Sequence, residues 1–429
     1  MIAKESFLFK NWANNIQHKT PVFAQPTTEN EIIGLVKKYT KIRVVGTGHS
    51  WSALCESDEL LINLDLYNQM TNIDRTNKTI TVQAGIKLKH LNLLLDKEGF
   101  ALINLGSIDE QSMAGAIQTG THGTGISFSN LASQVLSFSL IKANGEKIML
   151  HKGDELFNAA IISLGCLGII SEMTLQVTDA FNLHDKTYTQ DFNEVIENLD
   201  TLIQQNDHFK LWWLPPTKDI VVFTYKRTQE QPNDSAIRRF FQEVVLSVWG
   251  FRLMVFIGNL FNFLRKYINV YLTNQMKGPL DRIEKSYKVY VVPEPPKHRE
   301  TEWAFDVKDA KALLKEYQQI FTGNMPFSFN FIQEIRFTKG DDFWLSECYQ
   351  RDTIWIGAYN HNCKQWPAIL DYFEVFAKKH NGRPHYGKEF HVRKEYLSQQ
   401  YPKYSDFIEL RKQMDPENKF GNKLIDELF

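Results

Sequence analysis

Two glycines that flank a single threonine stand directly before a histidine and a serine in Gly46-Thr47-Gly48-His49-Ser50. The β-branched run Ile42 to Val45 precedes them, so we predict a buried strand that opens into a tight loop. Glycine lets the backbone approach a ligand closely, and successive N–H groups in such a loop form a concave anion site. The segment from Val45 to Ser50 therefore predicts a phosphate cradle.

A second glycine-rich stretch runs from Gly115 to Gly125 and interleaves glycines with the hydroxyls of Thr119, Thr121 and Thr124. One Gly-x-Gly after a strand is a weak signal, because an ordinary turn has the same pattern. Trp51 breaks the spacing of the dinucleotide fingerprint, and no Gly-Lys-Ser/Thr of a P-loop follows. Two such loops together predict a site that embraces one pyrophosphate.

A carboxylate and a guanidinium stand two residues apart in the predicted strand Asn330 to Phe337, at Glu334 and Arg336. Side chains alternate across a strand with period 2, so this pair shares one face. The acid can accept from a hydroxyl of a polyol or lactone, and the cation can donate to it. In isolation such a pair is more often a surface salt bridge.

The two glycine loops, Gly46-Thr47-Gly48-His49-Ser50 and Gly120-Thr121-His122-Gly123-Thr124-Gly125, resemble the FAD-binding domain of the vanillyl-alcohol-oxidase flavoprotein superfamily. The resemblance implies FAD held covalently by His49 through the flavin 8α-methyl group. It also implies that Gly168 and Ile170 touch the adenosine end, although Gly165 and Gly168 can equally serve close backbone packing. The full set of cofactor contacts that it implies is Val45, Gly46, Thr47, Gly48, His49, Ser50, Ser107, Ser112, Gly115, Thr119, Gly120, His122, Gly123, Gly168 and Ile170.

The C-terminal third resembles the sugar-1,4-lactone oxidase branch, which includes L-gulonolactone oxidase and D-arabinono-1,4-lactone oxidase. The blocks that carry this resemblance are 334–337, 340–346, 349–352 and 382–388, in that order. It implies Glu334, Arg336, His385 and Lys388 as catalytic residues, and Ser112, Glu334, Arg336 and Lys388 as substrate contacts. Tyr386 stands where the branch usually has a tryptophan, so this position remains aromatic.

The reaction implied is hydride transfer from a carbon that bears a hydroxyl, in L-gulono-1,4-lactone or a similar aldonolactone, to FAD. The 2-keto product would enolise to an ascorbate-like compound, and dioxygen would reoxidise the flavin to give hydrogen peroxide. Either His385 or His361 is a candidate for the base, since histidine titrates near neutrality. Two alternatives stay open: an alditol oxidase or dehydrogenase, and a non-catalytic, membrane-tethered nucleotide-binding module.

Bulk properties exclude several classes of protein. In 429 residues, 49 basic and 50 acidic side chains leave a net charge of −1, so we expect no nucleic-acid partner. The cysteines at 55, 166, 348 and 363 show no CxxC pairing, so we expect neither a metal site nor a disulfide scaffold. The N-terminus carries no apolar signal region, so we expect a cytoplasmic protein that is not secreted.

The order of elements predicts an α+β chain in two domains. The resemblance implies an FAD-binding domain over 1–178, a substrate-binding cap domain with an antiparallel sheet over 179–388, and a C-terminal segment over 389–429 that returns to the first domain. A capping box at Thr28 and Glu31 predicts a helix start, Gly99 a helix end, and Asn144-Gly145 a hairpin.

A hydrophobic helical insertion is expected over 237–275. Its longest uncharged run, Leu253 to Leu264, is too short to span a bilayer. From Gly258 onward polar residues recur at helical spacing opposite a wide apolar face, which predicts one amphipathic helix. The apolar face is either buried under the second domain or in a dimer, or forms a peripheral membrane contact through residues 253–272.

Overall fold

The computed structural model describes residues 1–233, 249–361 and 364–429. The strands are β1 (Ile2–Lys10), β2 (Gln17–Gln25), β3 (Ile42–Val45), β4 (Leu60–Asn63), β5 (Met70–Asp74), β6 (Thr79–Gln83), β7 (Phe100–Ala101), β8 (Val135–Ile141), β9 (Lys147–His151), β10 (Ile169–Gln176), β11 (Thr178–Asp179), β12 (Asn182–Asp191), β13 (His208–Trp213), β14 (Asp219–Thr228), β15 (Leu280–Lys285), β16 (His298–Asp306), β17 (Gln333–Thr338), β18 (Thr353–His361) and β19 (Arg383–Pro384).

The α-helices of the described residues are α1 (Glu29–Lys38), α2 (Leu88–Glu98), α3 (Met113–Gln118), α4 (Glu155–Ala160), α5 (Phe192–Glu197), α6 (Leu199–Gln205), α7 (Phe251–Leu260), α8 (Arg265–Gln275), α9 (Ser286–Tyr290), α10 (Ala310–Thr322), α11 (Trp366–Lys379), α12 (Lys394–Gln400), α13 (Tyr404–Met414) and α14 (Lys423–Leu428).

The strands up to Asp179 form three sheets. A four-stranded sheet has the order β1-β2-β4-β3, in which β4 pairs in parallel with both β2 and β3. A five-stranded antiparallel sheet has the order β5-β6-β10-β8-β9, and β7 pairs with β11. The cradle loop after Val45 thus leaves the carboxyl end of a parallel pair, which is where ligands bind in open α/β sheets.

The local predictions for this part are confirmed. Thr28 Oγ1 accepts from the N–H of Glu31 at the start of α1. Gly99 ends α2 with φ 80°, which is a left-handed conformation that favours glycine. The Asn144-Gly145 turn joins β8 to β9, and Gly145 has φ 81°.

The remaining strands build one antiparallel sheet of eight, in the order β15-β12-β14-β13-β17-β18-β16-β19. Strand β17 carries Glu334 and Arg336 and lies between β13 and β18. Side chains from both neighbouring strands can therefore contact Glu334 and Arg336. The predicted α+β class with an antiparallel sheet is confirmed. The chain end approaches the first sheets: Ile42 N–H donates to Lys419 O (2.9 Å), and Asn422 Nδ2 donates to Ala53 O (3.0 Å).

The helical insertion differs from the prediction of a single amphipathic helix. Residues 234–248 lie outside the described residues, and the segment that follows is two helices, α7 and α8, joined by a 3-10 turn at Asn262–Leu264.

Large apolar side chains of α7, α8 and the turn between them face outward. Six of them are 51–70% exposed: Leu253, Phe256, Leu260, Phe263, Tyr267 and Tyr271. We call these six the outer apolar surface. Among the described residues no helix combines the length and apolarity that a membrane crossing needs.

Candidate active site

A cleft of about 1100 Å³ lies between the cradle loop, helix α3, the segment 164–170 and Phe420. The expected cofactor residues that line it are Val45, Gly46, Thr47, Gly48, His49, Ser50, Ser112, Gly115, Thr119, Gly168 and Ile170. We call it the cofactor cleft. Two walls of this cleft approach each other closely at Gly46 and Ser112, because a Cβ on Gly46 would lie 2.3 Å from Ser112 Oγ.

The cradle loop presents a row of unused donors. No described residue accepts a hydrogen bond from the backbone N–H groups of Thr47, Gly48, His49 or Ser50. Gly48 has φ 71°, and its carbonyl accepts from Trp12 N–H (2.8 Å), while Asn11 Nδ2 donates to Ser50 O (2.9 Å). Successive free N–H groups in a fixed loop are the arrangement that an anion site requires, so the predicted phosphate cradle remains a prediction that this geometry fits.

The second glycine stretch reaches the clefts in part: Gly115 and Thr119 line the cofactor cleft, and Thr119, Thr121 and His122 line the substrate cleft. Gly120 N–H donates to Ile117 O (3.1 Å) and Thr121 N–H to Ala116 O (3.0 Å), so both donors are used at the end of α3. Gly120 and Gly123 line neither cleft. A Cβ would lie 2.4 Å from Glu347 Oε2 at Gly120 and 2.3 Å from Leu105 O at Gly123, so these glycines serve close packing.

Arg43 is a cofactor-cleft residue that sequence reasoning missed. Its buried guanidinium donates to Leu54 O (2.7 Å), to Leu164 O (2.7 Å) and to Phe420 O. It thereby ties β3 to the 160s segment and to the chain end, and it places a permanent positive charge beside the cleft. The sequence signal for this role of Arg43 was a cationic residue within the β-branched run Ile42 to Val45.

A second cleft of about 840 Å³ continues from the first and shares His49, Ser50, Gln111 and Thr119 with it. We call it the substrate cleft. The expected residues that line it are Ser107, His122, Glu334, Arg336, His385 and Lys388. Ser112, expected on the substrate side, lines only the cofactor cleft. Residues missed from the sequence are Trp212, His298, Glu300, Glu302 and Tyr359.

His49 lies where the two clefts join. Its Nδ1 is 2.9 Å from Thr47 Oγ1, and its ring stacks on Trp12 with a centroid separation of 5.8 Å. Its Nε2 is buried without a hydrogen bond and lies 3.9 Å from Glu294 Oε1. Burial lowers the pKa of His49, so the ring is neutral at pH 7.

Glu334 and Arg336 share a face, as predicted, and their side chains are in direct contact. Glu334 was expected to accept a hydrogen bond from a substrate hydroxyl. Protein donors instead use all of its acceptor positions. Lys210 (3.2 Å) and Trp212 (2.8 Å) donate to Oε1, while Tyr359 (3.1 Å) and Arg336 donate to Oε2. Burial favours a raised pKa for Glu334, but Arg336 and Lys210 outweigh it and hold the carboxyl ionised.

Arg336 is aimed at the cleft by its other contacts. Its guanidinium donates to His122 O (3.3 Å) and to Ser107 Oγ (3.3 Å), which connects β17 with the second glycine stretch. Its Nε is buried without a described acceptor. Burial works to lower the pKa of Arg336, but the Glu334 carboxylate raises it above the ordinary value, so the charge is permanent.

Three buried groups, His122, Glu302 and His385, hold ligand-type atoms within 4.8 Å of one another. Gly387 N–H donates to His385 Nδ1 (3.2 Å), which leaves the ring proton on Nε2, and this tautomer suits a hydrogen bond to a carboxylate better than metal ligation. His122 stacks on Trp355 at 3.7 Å, and burial lowers the pKa of both histidines, that of His385 to about 4.

Lys388 is in contact with a carboxylate that the sequence did not reveal. Its Nζ contacts Glu300 Oε2 and lies 4.3 Å from the centroid of the Trp51 ring. Glu300 Oε1 is 2.7 Å from His298 Nε2. His361, one of the two candidate bases, does not line the substrate cleft; it lines a surface pocket with Trp12 and Glu294, and its Nδ1 contacts Asn259 Nδ2 (2.7 Å).

Comparison with known proteins gives consistent matches. A family described as FAD binding domain matches residues 20–150, and one described as D-arabinono-1,4-lactone oxidase matches residues 173–428. L-gulonolactone oxidase of Bos taurus is 31% identical and covers 98% of each chain. L-gulono-1,4-lactone dehydrogenase of Mycobacterium tuberculosis is 29% identical and covers 97% of each. A solved cholesterol oxidase from B. sterolicum superposes with a TM-score of 0.83 at 16% identity, over 98% of this chain and 96% of that one, which bears on the fold alone.

The free N–H row, the buried arginine and the joined clefts fit FAD, and with these matches they define a vanillyl-alcohol-oxidase type flavoprotein. The chain belongs to the D-arabinono-1,4-lactone oxidase family. It is an FAD-dependent oxidoreductase, so the resemblance inferred from the glycine loops and the Glu-x-Arg block is confirmed, and the non-catalytic alternative has no support.

Proposed function

We propose that this enzyme oxidises a sugar-1,4-lactone, such as L-gulono-1,4-lactone or a similar aldonolactone, and passes the electrons to dioxygen with formation of hydrogen peroxide. The observation that carries the proposal is the position of Arg336 and Lys388 in a cleft that shares His49 with the cofactor cleft. The two relatives described above are named as enzymes that act on lactones of this kind. When bound, FAD supplies a hydride acceptor at the flavin N5.

The protein's main task is then orientation of the alcohol carbon. Arg336 offers a permanent charge to the oxygen on which negative charge develops, and Ser107 Oγ stands beside it. Glu334 is a positioning residue, because its oxygens are engaged by Arg336, Lys210, Trp212 and Tyr359 rather than being free for substrate hydroxyls. Lys388 and the candidate base His385 are the cleft residues that would exchange a proton with the substrate.

We further propose that FAD is bonded to a ring nitrogen of His49 through its 8α carbon. The supporting observations are the position of His49 at the junction of the clefts, its neutral ring and its unpartnered Nε2. Residues 1–178 would hold the cofactor and 179–388 the substrate. Arg43 and the free N–H groups of the cradle loop would hold the pyrophosphate.

The outer apolar surface supports a peripheral membrane contact of a cytoplasmic protein. A segment whose polar side chains are buried and whose aromatic side chains face solvent gains free energy when those rings enter an apolar phase. Interfacial helices bury such a face at the boundary between headgroups and acyl chains. Lys266 and Arg252 flank the surface and suit anionic headgroups.

The substrate class is tested by anaerobic titration of the flavin absorbance. We expect L-gulono-1,4-lactone and related aldonolactones to bleach the flavin at 450 nm or nearby, and xylitol and sorbitol to leave it oxidised over the same time. Bleaching by the polyols but not by the lactones would overturn the proposed substrate. Admission of air then distinguishes oxygen, detected as hydrogen peroxide, from a requirement for another acceptor.

A further inference from the structure

Two carboxylates flank a glycine on the sheet face that forms the floor of the substrate cleft. Glu334 on β17 and Glu302 on β16 both pair with Gly357 on β18, one from each side. Residues directly opposite one another in such a ladder project from the same face. Neighbouring strands are about 4.8 Å apart, so about 10 Å separates the two backbone positions, and one small ligand can reach groups of both strands.

Protein donors satisfy two of the three carboxylates that line the substrate cleft, but not the third. Glu300 contacts Lys388 and His298. Glu334 accepts from four side chains. Neither oxygen of Glu302 receives a hydrogen bond from any described residue, although the side chain is only 2% exposed. A buried acceptor without a donor costs free energy, so a ligand that supplies a donor is favoured at this position.

Two neighbours that could have satisfied Glu302 are directed elsewhere. The hydroxyl of Tyr359 lies over Gly357, where a Cβ would be 2.8 Å from it, and it donates to Glu334. His122 Nδ1 lies 2.9 Å from Gly123 O, and a carbonyl only accepts, so Nδ1 carries a proton and the other ring nitrogen faces Glu302.

The contact between His122 and Glu302 leaves one carboxyl oxygen free. His122 Nε2 lies 3.5 Å from Glu302 Oε1, and both atoms are buried without a hydrogen bond. A proton between these two atoms can belong to the ring or to the acid. In both cases Oε2 remains an acceptor to which no described residue donates.

Resting on the function proposed above, we propose that Glu302 binds a hydroxyl of the lactone other than the one that is oxidised, and so sets the preference for polyhydroxylated lactones. This hydroxyl donates to Glu302 Oε2, while Arg336 and Lys388 meet the oxygen of the reacting carbon in the same cleft. A site that buries an acceptor for one substrate hydroxyl rejects analogues that lack this hydroxyl, because the acceptor then stays unpaired. Glu302 thus takes the hydroxyl-accepting role expected for Glu334.

Two lactones test this role. L-gulono-1,4-lactone carries several hydroxyls besides the reacting one, whereas 2-hydroxy-γ-butyrolactone carries the reacting hydroxyl alone. In Glu302→Leu we expect the second-order rate constant of anaerobic flavin reduction by L-gulono-1,4-lactone to fall about 10-fold or more, as when a buried hydrogen bond to a substrate hydroxyl is lost. The rate constant for 2-hydroxy-γ-butyrolactone should stay close to that of the wild type. Equal losses with both lactones, as a purely structural role predicts, would overturn the proposal.

The conservative variant Glu302→Gln keeps an acceptor oxygen at nearly the same volume. It should show a smaller loss in the same direction, carried mainly by KM, because the hydroxyl concerned is not the reacting one. Glu374→Gln is the matched control, since Glu374 is also buried, at 5% exposed, but lies on α11 outside the substrate cleft. An unchanged ratio of the two lactone rates in both Glu302 variants would contradict the assignment.

A binding measurement separates this proposal from the proposed function. Holoenzyme reduced with dithionite cannot accept a hydride, so calorimetry on it measures binding of L-gulono-1,4-lactone without turnover. We expect Glu302→Leu to weaken this binding about 10-fold or more, and an unchanged affinity would overturn the role of Glu302 alone. If xylitol instead of the lactone binds and reduces the flavin, the proposed substrate fails, and a comparison of xylitol with ethylene glycol tests Glu302 in the same way.

A metal ion is the competing occupant, because His122, Glu302 and His385 hold ligand-type atoms within 4.8 Å of one another. Metal analysis of the purified holoenzyme should find no stoichiometric ion that depends on Glu302. A stoichiometric metal that disappears in Glu302→Gln would overturn the proposal and assign the three residues to that ion.

Discussion

Gly46 and Ser112 approach each other so closely that a Cβ on Gly46 would lie 2.3 Å from Ser112 Oγ. An alanine at position 46 must therefore displace the Ser112 hydroxyl or the cradle loop, and both line the cofactor cleft. We expect Gly46→Ala to reduce the flavin content of the purified protein severalfold at unchanged helix content. The ratio of flavin to protein absorbance measures this.

The cause can be isolated with a second substitution. In Gly46→Ala/Ser112→Ala the nearest remaining atom is the Cβ at position 112, 3.3 Å away, so much of the flavin content should return. Gly34→Ala is the control, because no atom lies within 4 Å of a Cβ there. Failure of the double variant to bind more flavin than Gly46→Ala would show that the contact is not the cause.

Glu334→Gln should destabilise the fold, because it leaves Lys210 and Arg336 buried without their carboxylate. Removal of one partner of a buried pair costs about 3–5 kcal/mol. The folded pKa of Glu334 lies below its unfolded value, so this stability is present above the unfolded value and is lost as pH falls through the folded one. Urea unfolding at pH 7 and pH 3 should show the loss shrinking in acid.

A matched surface variant checks that burial is the reason. Glu316 pairs with Lys379 and His380 at a side chain that is 28% exposed, so Glu316→Gln should cost about 0–1 kcal/mol. Equal losses in the two variants would contradict the buried role of Glu334.

The sequence predicted the parts of the site that local pattern controls. The cradle loop follows from glycine spacing after a β-branched run, and the shared face of Glu334 and Arg336 follows from strand alternation. Glu300, His298, Lys210 and Trp212 were not predictable in the same way. Glu300, His298 and Trp212 reach the cleft, and Lys210 reaches Glu334, because β16 and β13 lie near β17 in the eight-stranded sheet. Such pairing is decided by long-range packing that no local period encodes.

The segment of α7 and α8 shows a second limit of prediction from the sequence. The stripe of polar residues predicted an amphipathic segment correctly, but the alternative of an apolar face buried under the second domain is wrong, because the apolar side chains are exposed. Arg265 and Asn269 instead donate to backbone carbonyls of Ser328, Pro215 and Phe329, which fixes the polar face inward. Periodicity gives two faces and does not say which one is buried.

Lys388→Met should slow anaerobic flavin reduction by L-gulono-1,4-lactone by about 100-fold or more, which is the usual contribution of a positioned base. Methionine keeps most of the volume beside Trp51 and removes the amine that contacts Glu300. The flavin content should stay near that of the wild type, because Lys388 lines only the substrate cleft. Stopped-flow absorbance measures the rate, and an unchanged rate would exclude Lys388 from the chemistry.

Vesicle binding should depend on the outer apolar surface. We expect Phe263→Ser/Tyr267→Ser to lower co-sedimentation with vesicles that contain anionic lipid several-fold, because both rings are at least 60% exposed and next to Lys266. Val375→Ser is the matched control, since Val375 is 71% exposed on α11 outside this surface. Binding that survives the double variant and depends on Val375 would place the contact elsewhere.

His49→Ala should convert the flavin from a bonded to an extractable cofactor. The unpartnered Nε2 at the junction of the clefts disappears, but Arg43 and the free N–H groups of the cradle loop remain, so FAD should still bind. After precipitation in acid, the wild-type pellet should stay yellow, whereas the variant should release its colour to the supernatant. His90→Ala, at an exposed histidine of α2, should behave as the wild type. A colourless wild-type pellet would show that His49 holds FAD without a covalent bond.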